Sequence, residues 1–94
     1  MMGTWQLTDM EPCALPEKVA SGFSSAFEDL RGATYTPVLY CGIQRVHGTN
    51  YMLICKQNLT VADQQQGLVK VILHEPLPTD ENQGWKVLTI DSIV

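Results

Sequence analysis

Apolar positions along the chain change their period once, near residue 32. Upstream, Val19, Phe23, Phe27 and Leu30 recur at spacings of four, four and three, with Ala20 and Ala26 widening the stripe, which is the repeat of one helix face. The spacing predicts a helix over 16–31. Pro16 suits its first turn, Glu17 the positive end of the macrodipole, and Arg31 followed by Gly32 a basic last turn with a left-handed cap. Gly22, Ser24 and Ser25 are poor helix formers, so this helix depends on packing against another element.

Downstream the pattern is that of strands. Tyr35 to Val46 is rich in β-branched and aromatic residues and would set Pro37, Leu39, Cys41 and Ile43 on one face, while Thr49 to Lys56 sets Tyr51, Leu53 and Cys55 on one face. His47 and Gly48 between them read as a hairpin turn, which would bring Cys41 and Cys55 close across the pair. Residues 57–66 read as a long polar loop and Gly67 to His74 as a third strand. A loop with Pro76, Pro78, Asp80, Glu81, Asn82 and Gly84 leads to a fourth, Trp85 to Ile93. A helix with one apolar stripe and a sheet with one apolar face bury each other. The expected fold is therefore α+β: one amphipathic helix wrapped by an antiparallel meander over 35–93, in a single domain spanning 1–94. Residues 1–14 form an N-terminal trunk in which Thr4 to Thr8 offers a short edge strand, giving four or five strands.

Composition narrows the function. At 94 residues, 45% hydrophobic and 17% charged, the chain is an ordinary single-core globule, and no stretch approaches the roughly 20 apolar residues of a membrane span. Net charge is −4, with Lys18, Arg31, Arg45, Lys56, Lys70 and Lys86 scattered, which argues against a nucleic-acid partner because that binding needs a basic patch. The N-terminus lacks a basic region followed by an apolar run, so a cytoplasmic protein is expected. Cys13, Cys41 and Cys55 are odd in number and lack CxxC spacing, and they read as reduced thiols, two of them (Cys41 and Cys55) in the core. Core thiols are unsuited to nucleophilic catalysis, and His74-Glu75 has no second histidine four residues on. Neither an enzyme nor a metal or other cofactor is implied.

Gln44-Arg45-Val46-His47-Gly48 fits Gln-x-Val-x-Gly in the first hairpin loop and continues as Thr49-Asn50-Tyr51 into a strand. Together with the preceding amphipathic helix, Leu77-Pro78 in the second hairpin loop and Gly3 about forty residues before Gln44, this resembles the cystatins over essentially the whole chain. The resemblance is to the stefins in particular, the disulfide-free type 1 cystatins that inhibit papain-like cysteine proteases. It implies a reversible, tight-binding, competitive inhibitor. In that family the N-terminal trunk and two hairpin loops form a wedge that occludes the protease cleft without being cleaved. Carried over, the protease-binding residues would be Gly3, Gln44, Arg45, Val46, His47, Gly48, Leu77 and Pro78, with Trp85 at the far side of the second loop. Positions 45 and 47, most often small or apolar in the family, are Arg and His here. The implied partners are cathepsin-type proteases, met by a monomer or hidden in a domain-swapped dimer. The rival expectation is a cystatin-fold protein-binding module without protease inhibition.

Overall fold

Among the described residues one helix, α1 (Glu17–Ala26), precedes four strands: β1 (Ala33–Val46), β2 (Gly48–Leu59), β3 (Gln66–Glu75) and β4 (Lys86–Ser92). The computed structural model describes residues 3, 5–60, 66–80 and 83–94. The strands form one antiparallel sheet in the order β1-β2-β3-β4, and α1 packs on one face of it, the α+β architecture expected and one compatible with a cystatin-like fold. Val19 and Phe23 of α1 meet Tyr51, Leu53 and Cys55 of β2 and Val69, Val71 and Leu73 of β3. Leu53, Cys55, Val71 and Leu73 are wholly removed from solvent, and each fully buried aliphatic side chain contributes about 1.5–3 kcal/mol. The alternation in β2 is thus as the sequence predicts, and β3 alternates in the same way.

The helix is shorter than the stripe suggested. It begins after Pro16, whose carbonyl accepts from the Ala20 amide, and ends at Ala26. Beyond it the chain tightens into turns, Glu28 N–H bonding Ser25 and Leu30 N–H bonding Phe27. Phe27 still reaches the core, its ring 4.4 Å from that of Phe23 and 4.8 Å from that of Tyr35, but Leu30 is left exposed. Arg31 lies past the helix. Gly32 does take a left-handed φ of 88°, as a chain stop rather than as a cap directly on the helix.

β1 departs most from expectation. Pairing with β2 steps from Pro37↔Cys55 to Leu39↔Ile54 and from Tyr40↔Leu53 to Gly42↔Met52, so Val38 and Cys41 are the extra residues of two bulges. Each bulge reverses the facing of the strand residues beyond it. Leu39 therefore turns to the outer face, Tyr40 packs on the core, and Cys41 is exposed instead of buried. Cys41 does not stand opposite Cys55; Pro37 does.

Three further boundaries move. Residues 57–59 extend β2 and Gln66 opens β3, so the loop expected over 57–66 is shorter, with 61–65 outside the described residues. β4 starts at Lys86, leaving Trp85 before it, and a bulge at Leu88 turns that residue outward. Residues 5–8 form no strand, so the edge strand proposed from Thr4 to Thr8 is not made there, Thr4 itself lying outside the described residues. The N-terminal segment is held instead by Cys13 N–H donating to the Pro37 carbonyl, while Met10 rests over the outer face beside Leu39, Ile54 and Leu68.

Candidate functional site

In an antiparallel meander the β1–β2 and β3–β4 connections lie at the same end of the sheet, and the two loops carrying Gln44 to Gly48 and Leu77-Pro78 do so here. The first is a tight hairpin: Gln44 pairs with Asn50, Arg45 with Thr49 and Val46 with Gly48, leaving His47 at the tip. Gly48 has φ 110°, where other residues are strained. A Cβ there would collide with the Glu75 carbonyl oxygen and stand 2.8 Å from His74 Cε1, so the close approach of β2 to β3 also requires glycine. Arg45, Val46 and His47 are exposed, Val46 by 46%.

The second loop turns over Leu77–Asp80, with Asp80 N–H donating to the Leu77 carbonyl, and Gln83 N–H donates to the Asp80 carbonyl; Glu81 and Asn82 fall outside the described residues. Between the loops runs a groove of about 370 Å³ lined by Arg45, Val46 and Gly48 on one side, Leu77 and Pro78 on the other, and Lys18 and Glu75 at its base.

That base ties α1 to the sheet. Lys18 Nζ lies 2.9 Å from Glu75 Oε2, and Tyr51 Oη donates to Glu75 Oε1 at 2.7 Å. Partial burial pushes the Glu75 carboxyl up, but the hydrogen bonds from Lys18 and Tyr51, with the Lys18 and Arg45 charges, outweigh it and hold the group below the ordinary carboxylate range. The hydrogen bond and charge of Glu75 raise Lys18, and desolvation followed by the same carboxylate raises Tyr51. Around neutral pH the joint is an ammonium and a phenol sharing one carboxylate.

Trp85 is turned into the body of the protein. Its indole stacks on Tyr51 with ring centroids 5.2 Å apart and 15° between planes, and it lies close against Gly22 of α1, where a Cβ would run into the ring. It anchors the end of the second loop and is half-buried. Gly3 is exposed and does not line the groove, so among the described residues two of the three expected wedge segments come together.

Sequence reasoning passed over Lys18, Thr49, Asn50, Tyr51, His74 and Glu75 as parts of this end. The only signal was the Thr49-Asn50-Tyr51 continuation after the motif, since Glu75, which bonds Tyr51, and His74, which bonds Asn50, each lie 24 residues away in β3. Among the described residues no group of three or more His, Cys, Asp or Glu is placed to hold a metal ion, and no helix is long and apolar enough to cross a membrane. Comparison with family models, with curated proteins and with solved structures returned no match.

Proposed function

We propose that this chain is a stefin-like member of the cystatin superfamily and acts as a reversible, tight-binding, competitive inhibitor of papain-like cysteine proteases of the cathepsin type. The observation that carries the reading is the meeting of Val46 with Leu77 and Pro78 across one groove at one end of the sheet. Apolar side chains on a tight hairpin and on the Leu77–Asp80 turn make an edge that enters a cleft at a conformational cost lowered by those local constraints. Gly48 lets the hairpin backbone turn sharply, and the paired backbone on both sides of His47 keeps the tip from spreading into an extended, cleavable segment. A complex of standard size would bury on the order of 1,600 Å² in total.

In this reading Val46, Leu77 and Pro78 supply apolar contact, Arg45 and His47 flank the tip with polar contact, and Gly48 shapes the turn. Trp85 acts on the second loop by holding its end against Tyr51 and Gly22. Titration against papain and a cathepsin tests the proposal: stoichiometric, reversible loss of activity is expected. Full protease activity at micromolar concentrations of a monomeric sample would leave the binding-module alternative. A domain-swapped dimer would bury the same hairpin, so the monomer is isolated by size-exclusion chromatography first.

A further inference from the structure

Gln44 of β1, Asn50 of β2 and His74 of β3 stand in one register row across three strands. The row lies on the outer face, opposite the core residues Tyr51 and Leu53, and just below it are Gly42, Met52 and Ile72. Asn50 Nδ2 donates to Gln44 Oε1 at 3.0 Å, and His74 Nδ1 lies 2.8 Å from Asn50 Oδ1. Because Asn50 spends its amide nitrogen on Gln44, its oxygen can only accept, so the hydrogen between Asn50 and His74 must be carried on His74 Nδ1. The same imidazole lies against Gly48: a Cβ on that residue would stand 2.8 Å from His74 Cε1 and 3.0 Å from Nε2.

We infer that Asn50 and His74 are positioning residues for the hairpin tip, fixing Gln44 at one end of the Gln44–Gly48 segment and the backbone of Gly48 at the other. The inference rests on the protease-inhibitor reading. Its chemical content is directional. With Oε1 occupied by Asn50, Gln44 turns its Nε2 hydrogens away from the row and offers a partner hydrogen-bond donors, matching a backbone carbonyl on the protease rather than an amide N–H. The row also divides the motif: Gln44 and Gly48 are held by neighbouring side chains, Gln44 still facing a partner through its Nε2, whereas Arg45, Val46 and His47 stand exposed at the tip.

Long-range ¹H–¹⁵N correlation spectra of the free protein test the row without any variant. The Nδ1–H tautomer is expected for neutral His74, and an Nε2–H tautomer would overturn the proposal. Asn50→Ala and His74→Phe should each shift the Gln44 side-chain amide resonances and weaken papain inhibition by about tenfold, the worth of one hydrogen bond to an oriented group. His74→Asn, whose Nδ2 can occupy the place of the imidazole Nδ1, should restore both. A lowered thermal midpoint with an unchanged inhibition constant would mark a merely structural row and refute the positioning role. A parent protein that leaves papain active removes that role together with the inhibitor reading, while the tautomer still decides whether the row exists.

Discussion

Gly22→Ala sets two well-known effects against each other. In an exposed helix this change is stabilising, by about 1 kcal/mol in backbone propensity. In α1 the new methyl would occupy space held by the ring-fusion atoms of the Trp85 indole, the rigid centre of that side chain and not a mobile end. The ring cannot retreat freely, because it is also stacked on Tyr51, with ring centroids 5.2 Å apart. Overpacking of this kind costs about 1–3 kcal/mol, and with retreat blocked the upper part of that range applies. The balance is a loss of about 1–2 kcal/mol, and for a domain of this size each kcal/mol moves the thermal midpoint by about 4–8 °C. The assay is urea and thermal unfolding followed by far-ultraviolet circular dichroism, which reads the helix and sheet whether or not Trp85 is present. Repeating Gly22→Ala on a Trp85→Leu protein removes the obstacle, and there the substitution should become neutral or stabilising. An equal effect in both backgrounds would refute the clamp of Trp85 between α1 and Tyr51.

Val46→Asp should abolish papain inhibition while changing unfolding free energy by no more than about 0.5 kcal/mol, since the side chain is on an exposed tip; equal inhibition by variant and parent would move the site elsewhere. Glu75 has a lowered native pKa, so its contribution to stability is full above the unfolded carboxylate value near pH 4.3 and fades as pH falls through the native value. The parent should therefore lose stability below about pH 5 more steeply than Glu75→Gln does, and parallel acid limbs in urea titrations would contradict the Lys18–Glu75–Tyr51 joint. Burial, with minor help from Cys13 and Cys41, pushes the Cys55 thiol up to about 12. Iodoacetamide at pH 8 should thus label exposed Cys41 in the native protein and Cys55 only after denaturation, as peptide mass spectrometry would record.

Where the sequence could be read, one residue's environment was decided by neighbours close in the chain. Val19 and Phe23 fall on one helix face whatever the helix meets, and Tyr51, Leu53 and Cys55 alternate in a strand with no interruption. β1 could not be read this way, because a bulge adds a residue without a composition of its own. Pro37, next to the first bulge, and Gly42, next to the second, were the local hints. The helix end was obscured for a similar reason: Phe27 keeps its place in the apolar stripe although the chain has already tightened into turns. Of the candidate site, the neighbourhood of the two loops followed from the meander order alone. The orientation of Trp85 and the partners of Tyr51 and His74 are contacts between distant segments, and no local pattern encodes them.

These non-local contacts gather at one end of the sheet. Lys18 fastens α1 to Glu75, Trp85 wedges the entry to β4 between α1 and Tyr51, and His74 supports Gly48 beneath the hairpin tip. Tyr51 belongs to two of them, bonding Glu75 through its hydroxyl and stacking on Trp85 through its ring. A loop held from several elements has few alternative conformations to lose on binding, so its affinity depends mainly on the side chains it displays. Scaffold and display are then separable at the level of single residues. Changing Tyr51, Glu75 or Trp85 should alter stability and the relative placement of the loops together, whereas changing Arg45 or His47 should alter which partner is accepted with the fold left intact.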